Sequence, residues 1–182
     1  MAVLEGIVLK KKLKAKLLWH VHEIIVKPQL IFKILCFFIG IYADKCIAVS
    51  KAVSNHLLRS KLINTDKLKV IYNGVDSTKF NSNVKIDYLF NEFKVPKDSI
   101  RIGMIGRVNS WKGQDDFLDA TIDLLDEFPN LYLFIIGSAF KGEEWRVKKL
   151  SERIRGIKYN KRVIFSEFRT DNYAVHNFFD IL

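Results

Sequence analysis

Short apolar runs alternate with amphipathic segments along the chain, and this alternation constrains the fold more than any other feature of the sequence. A repeated strand–helix–strand order predicts parallel strands joined by crossover helices, hence an α/β fold. In the first half, the predicted strands are 16–21, 46–50 and 67–74, and the predicted helices are 29–43 and 51–59. In the second half, the predicted strands are 100–105, 131–136 and 162–165, with another beginning at 180, and the predicted helices are 113–128, 143–155 and 171–179.

A polar, turn-rich segment at 76–83 and the proline at position 96 interrupt this alternation near the middle of the chain. Between them, apolar residues recur at helical spacing over 84–93. We therefore predict one domain at 1–80, a linker with a connecting helix at 81–98, and a second domain at 99–182.

The charge of the chain lies almost entirely in its first half. The 182 residues carry a formal net charge of +10, and residues 1–90 contain 15 basic and 6 acidic side chains. Such an excess indicates an anionic partner, such as phospholipid, a phosphorylated acceptor or nucleic acid, although it also serves solubility. In 9–16, lysines are interleaved with apolar residues as on a membrane-surface helix, and no stacking-aromatic motif is present. We expect peripheral contact with an anionic membrane and no nucleic-acid partner.

Cysteine content and the apolar runs indicate a cytoplasmic protein. Cys36 and Cys46 are the two thiols, and neither has His or Cys partners at metal-ligand spacing. The longest apolar run, 34–43, has ten residues, fewer than the roughly 20 that cross a bilayer. The first residues lack the pattern of a secretory signal. We expect a reduced, cytoplasmic setting, with any membrane contact at the inner face.

The segment IRIGMIGRVNSWKGQ at 100–114 carries the strongest chemical signal. A buried strand ends at Gly106 and a helix begins near 113, where ligands of open α/β sheets bind. Gly106 permits close approach to the backbone, Arg107 offers a fork of donors, and Lys112 adds a point charge. Together they predict a diphosphate pocket, while a tight turn with two solvated cations fits the same spacing. Neither the dinucleotide-binding fingerprint nor the Walker A motif is present.

Five motifs in a fixed order make the chain similar to the retaining glycosyltransferases of family 4. They are WHVHEI at 19–24, AVSKAVSNHLL at 48–58, VIYNGVD at 70–76, GRVNSWKGQDDFLDA at 106–120 and LFIIGSAF at 133–140. The resemblance covers 17–182 and implies a GT-B architecture, in which an acceptor domain and a nucleotide-sugar domain, both Rossmann-like, face one cleft. Both units are expected to be incomplete in this chain, because the family's upstream Gly-rich loop and downstream glutamate pair are missing from it.

The resemblance also implies roles for individual residues. Arg107 and Lys112 fall on the basic pair that holds the donor diphosphate, so that neither a metal nor another cofactor is implied. His22 matches the histidine beside the transferred sugar, and we expect His20 to lie on the opposite side of the same strand.

Other positions match loops of the family near the cleft. Asn73 and Gly74 follow a strand, where the pair also predicts a turn with positive φ. Gly137 is either a donor-loop glycine or an ordinary turn. Phe168 and Arg169 fall where the family's loop contacts the nucleotide base, but Glu167 replaces the usual glycine, which argues against that contact.

The first hypothesis for function is therefore a glycosyltransferase, or a fragment of one. It would transfer a sugar from a nucleotide-sugar to a polysaccharide or lipid-linked acceptor with retention and without a metal. We expect little or no turnover from this chain alone. The alternative is a catalytically inactive nucleotide-binding remnant or assembly module.

Overall fold

The computed structural model describes residues 2–182, with side chains from Glu5 onward. Two compact units divide between Val75 and Asp76, and each contains a three-stranded parallel sheet. The predicted α/β class with two parallel-sheet units is confirmed.

The first unit has the sheet order β1-β2-β3. Its elements are α1 (Ala2–Leu13), β1 (Leu18–Val21), α2 (Gln29–Tyr42), β2 (Lys45–Ala48), α3 (Lys51–Arg59) and β3 (Leu68–Val70). Helix α3 begins where predicted because the Ser50 hydroxyl accepts the Val53 N–H at 3.1 Å. The core of this unit lies between the helices and the sheet and includes Cys36, Ile39 and Leu57.

The second unit has the sheet order β4-β5-β6. Its elements are α4 (Asp87–Phe93), β4 (Ile100–Ile105), α5 (Gln114–Thr121), α6 (Leu124–Glu127), β5 (Leu131–Ile136), α7 (Glu144–Arg155), β6 (Val163–Ser166) and α8 (Asn172–Phe178). Ile181 forms a parallel bridge with Ile102 of β4, where the sequence predicts another strand to begin.

The prediction of one continuous helix over 113–128 is wrong, because the structure has two helices there, α5 and α6. The Thr121 hydroxyl donates to the Phe117 carbonyl at 2.7 Å, competing for a backbone acceptor at the end of α5. Tighter backbone bonds follow, such as Leu125 N–H to the Ile122 carbonyl at 3.0 Å. The apolar stripe continues through α6, which is why periodicity alone does not reveal the break.

The predicted connecting helix is packed into the second unit as α4. Its Leu89 and Phe90 are buried in a cluster with Phe134 of β5 and Phe178 of α8. The domain limits proposed from the sequence, at 80 and 98, stay a prediction.

Strand ends and α1 differ most from expectation. Strand β3 ends at Val70, well before the predicted 74, although Ile71 N–H still donates to the Ala48 carbonyl. The sequence indicated a helix over 9–16, whereas helix α1 begins earlier, at Ala2, and ends at Leu13. No helix within residues 2–182 has both the length and the apolar character needed to cross a membrane.

Candidate functional site

A cleft of about 340 Å³ opens at the carboxyl edge of the second sheet. The loops that follow β4, β5 and β6 meet there because parallel strands end at the same edge. The lining residues are Ile105, Gly106, Arg107, Ile136, Gly137, Ser138, Ala139, Phe168, Arg169 and Asn172. Five predicted site residues, from three different loops, are therefore brought together: Gly106, Arg107, Gly137, Phe168 and Arg169.

The two cleft glycines differ in what requires them. A Cβ on Gly137 would lie 1.9 Å from the Gly106 carbonyl oxygen, and its φ is +155°, so the fold itself needs glycine there. A Cβ on Gly106 would meet only the Lys112 side chain, at 3.8 Å. Protein packing therefore leaves room beside Gly106, as a site for close ligand approach would require.

Arg107 is exposed but held in place. Its carbonyl accepts the buried Gln114 side-chain amide at 2.9 Å, and its guanidinium lies over the half-exposed Phe140 ring, 3.6 Å from the centroid. Sequence reasoning missed Phe140 and Gln114. The position of Phe140 three residues after Gly137 offered a signal, since that loop follows a strand of the same sheet.

Lys112 is not among the residues that line this cleft; it lies in the turn that precedes α5, next to Gly106, which does line it. The Asn109 side-chain oxygen accepts the backbone N–H groups of Trp111 and Lys112, both at 3.0 Å. Gly113 then has φ +77°, and α5 begins at the next residue. This turn directs the aliphatic part of the Lys112 side chain toward Gly106. The aliphatic part of Lys112 and the adjacent residue Arg107 thus both lie next to the half-buried Gly106.

Phe168 is presented to the cleft by a backbone contact. Its N–H donates to the Ser138 hydroxyl at 2.9 Å, while its ring is 67% exposed. A ring held by its backbone and left uncovered can stack on a planar ligand.

The Arg169 guanidinium is bound to carboxylates. It donates to Asp171 at 2.8 and 2.7 Å and to both oxygens of Glu92 on α4. The Arg169 guanidinium lowers the pKa of Asp171 to about 2. Burial, with a hydrogen bond to Asp171, raises the pKa of Tyr88 to about 12. This network ties the cleft loop to α4, so Arg169 positions the loop while its charge is offset.

His22 lies in the first unit, just after β1, and is exposed. Its Nε2 is 3.3 Å from Nδ1 of His20, and the ring centroids are 4.3 Å apart. The expectation that the two histidines lie on opposite sides is wrong, because side chains two residues apart on a strand share a face. One ring nitrogen of the pair donates and the other accepts.

Asn73 and Gly74 are exposed and lie outside helices and strands. The positive-φ glycines of residues 2–182 are Gly113, Gly137 and Gly142, so the predicted positive-φ turn at Gly74 is wrong. Because β3 ends at Val70, the pair does not follow its strand directly.

Within the described part of the chain, no three His, Cys, Asp or Glu side chains are grouped so that they could hold a metal ion. Cys36 and Cys46 are free and buried. Burial raises the pKa of Cys46 to about 11. Metal independence and a reduced setting both stay predictions.

Two family models match the chain. Residues 85–181 match the model of glycosyl transferases group 1, and residues 1–79 match the model of Glycosyltransferase Family 4. The chain is 28% identical over 127 residues to the uncharacterized glycosyltransferase MJ1069 of Methanocaldococcus jannaschii, covering 69% of this chain and 31% of that protein. It is 24% identical over 166 residues to the O-antigen biosynthesis glycosyltransferase WclY of Escherichia coli, covering 86% and 43%. The chain spans less than half the length of either relative.

Solved structures show a similar arrangement of elements. A crystal structure of Anabaena Alr3699/HepE in complex with UDP and glucose matches with a TM-score of 0.84 and 26% identity. That match covers 98% of this chain and 48% of the other. A glycosyltransferase from Rickettsia africae matches in fold, with a TM-score of 0.70 at 20% identity over 98% of this chain and 54% of the other.

Proposed function

The chain belongs to the glycosyl transferases group 1 family, and on that premise we propose that it serves sugar transfer from a nucleotide-sugar, with the donor bound in the second unit. One observation carries the proposal. Loops after β4, β5 and β6 bring Gly106, Arg107, Gly137 and Phe168 to one cleft, and the Lys112 side chain lies beside Gly106.

The donor chemistry follows from the charges at the rim of this cleft. When the sugar leaves, the nucleoside diphosphate gains negative charge, and fixed cations beside it stabilise the transition state. Arg107 offers two parallel donors to phosphate oxygens, and Lys112 supplies a mobile point charge. In other glycosyltransferases a divalent ion stabilises the charge of the departing diphosphate. Here we propose that Arg107 and Lys112 stabilise it, so the proposal includes no metal and no other cofactor.

A uridine nucleotide is the donor to test first. Anabaena Alr3699/HepE, 26% identical to this chain, has been crystallised with UDP-glucose as well as with UDP and glucose. In this chain, the exposed Phe168 ring is the aromatic surface that lines the cleft. A nucleotide base can stack on such a ring. Arg169 supports that loop through Glu92 and Asp171.

The first unit serves the acceptor side of the proposal. His22 would hydrogen-bond the transferred sugar, with its tautomer set by His20, in a reaction that retains the anomeric configuration. The acceptor would be a polysaccharide or a lipid-linked glycan at the cytoplasmic face of a membrane. The name of the Escherichia coli relative, an O-antigen biosynthesis enzyme, and the positive charge of this unit support that class.

Calorimetric titration of the 182-residue chain tests the donor half of the proposal. UDP and UDP-glucose should each bind at one site, and free glucose should give no heat, since the cations recognise the diphosphate. UDP should lose affinity as salt rises, because the contact is ionic. If neither UDP nor another nucleoside diphosphate binds, the cleft does not hold a donor and the proposal is wrong.

A further inference from the structure

Ser138 joins the three loops that form the cleft of the second unit. It follows Gly137 in the loop after β5 and lines the cleft. Its backbone carbonyl accepts the N–H of Val108, the residue after Arg107, at 3.1 Å. Its hydroxyl accepts the N–H of Phe168, in the loop after β6, at 2.9 Å. One residue thus contacts the Arg107 loop through its backbone and the Phe168 loop through its side chain.

The contact with the Ser138 hydroxyl fixes Phe168 where packing of its ring does not. Phe168 lies outside helices and strands, and its ring is 67% exposed. Arg169, the next residue, is held from the other side of the loop by Glu92 and Asp171. A backbone N–H bonded to a side chain of another loop restricts where its own residue can lie. The hydroxyl of Ser138 therefore sets the position of Phe168 relative to the loop after β5.

We infer that Ser138 is a positioning residue for the base of the nucleotide donor. Its hydroxyl holds Phe168 at the place in the cleft where the ring can stack on a base, and it acts on the base through Phe168. This inference rests on the proposed function, because it takes the donor to bind with its diphosphate at Arg107 and its base at Phe168.

The two contacts of Ser138 affect different parts of the donor. Loss of the hydroxyl breaks the contact with Phe168, whereas the backbone bond to Val108, beside Arg107, does not depend on the side chain. Binding of UDP, which has both a base and a diphosphate, should therefore weaken. Inorganic pyrophosphate has no base, so its binding should not change.

Calorimetric titration of the 182-residue chain with UDP and with pyrophosphate tests the inference. Ser138→Ala should weaken UDP binding about threefold to tenfold, the effect expected of one hydrogen bond. Ser138→Thr keeps a hydroxyl at this position and should bind UDP within about twofold of the unaltered chain. The matched control is Ser151→Ala, at a half-buried serine of α7 that does not line the cleft. It should change the affinity for neither ligand.

A double-mutant cycle shows whether Ser138 acts through Phe168. Phe168→Ala alone should weaken UDP binding at least about fivefold, because stacking is lost. Adding Ser138→Ala to Phe168→Ala should weaken it no further. Additive losses would show that Ser138 acts on the ligand without Phe168, and would overturn the inference.

Two other results would also overturn the inference, and each has a distinct meaning. If Ser138→Ala binds UDP as the unaltered chain does, the inference fails and the proposed function stands. If Ser138→Ala weakens UDP and pyrophosphate binding equally and lowers stability in urea, Ser138 supports the fold in general and has no particular role toward the base. If the unaltered chain binds no nucleoside diphosphate, the proposed function fails, and this inference fails with it.

Discussion

The guanidinium of Arg107 lies over the ring of Phe140, with 3.6 Å from Cζ to the ring centroid. The ring is 49% exposed, so it contributes little to the core. A cation held over an aromatic face loses fewer conformations when it binds a phosphate. Phe140 therefore positions Arg107, the side chain that we propose binds the donor diphosphate.

Replacing Phe140 with Leu should weaken UDP binding about threefold to tenfold, since a cation–π contact is worth roughly 0.5–2 kcal/mol. Replacing it with Tyr keeps the aromatic face and should restore binding. Calorimetry with UDP measures both variants, and urea unfolding checks that neither loses stability. Equal affinities for the Leu and Tyr variants would show that Phe140 only fills space.

Alanine substitutions at the two cleft glycines should have opposite effects. Gly106→Ala should leave the free energy of unfolding within about 0.5 kcal/mol of its original value, because the new methyl group meets only Lys112 at 3.8 Å. It should weaken UDP binding, because the methyl group occupies the space through which a ligand would approach the backbone. Gly137→Ala should lower the free energy of unfolding by about 2 kcal/mol or more, since its Cβ would overlap the Gly106 carbonyl oxygen.

Urea unfolding and UDP titration of both glycine variants separate these effects. If Gly106→Ala is the less stable of the two, the assignment of Gly106 to the ligand and Gly137 to the fold is wrong.

Acid should weaken the second unit through Asp171. The folded state holds the pKa of this carboxyl at about 2, below its ordinary 3.8, chiefly because Arg169 donates to it. A lowered folded-state pKa gives stability that is complete above about pH 4 and is lost as the pH falls toward 2.

The variant Asp171→Asn tests this dependence. It should be less stable than the original chain at pH 7, and the difference should shrink between pH 4 and pH 2. Urea unfolding followed by tryptophan fluorescence gives both curves. A constant difference across this range would mean that Asp171 does not contribute through its charge.

The fold was predictable wherever burial and periodicity agree. Strands β4 and β5 have the predicted bounds. The central strand β5 is a continuous run of apolar and aromatic residues, and β4 is a mainly apolar run interrupted by Arg101 and Gly103. The break after Thr121 was not predictable, since the backbone changes there to tighter bonds, such as Leu125 N–H to the Ile122 carbonyl, while the apolar stripe continues. Edge strand β3 was overestimated because its apolar pattern extends past its hydrogen-bonded pairs.

The site was predictable to the extent that strand order determines it. Gly106, Gly137 and Phe168 each follow a strand, so a parallel sheet places them at one edge. The contact between Arg169 and Glu92 was not predictable, because Glu92 is 77 residues away and lies on a helix that the sequence analysis assigned to a linker. The contact between His20 and His22 follows from strand geometry, because residues two apart on a strand point to the same face. The expectation that they lie on opposite sides misapplied this rule.

The most direct test of the donor cleft is UDP affinity after removal of its two cations. Arg107→Ala and Lys112→Ala should each raise the dissociation constant about tenfold to a hundredfold, as expected for one charge-assisted contact. Lys161→Ala is the matched control, because this exposed lysine precedes β6 and so lies at the opposite edge of the sheet. The affinity of the Lys161→Ala variant for UDP should stay within about twofold of that of the original chain. UDP binding that is unchanged in the Arg107 and Lys112 variants would contradict the account.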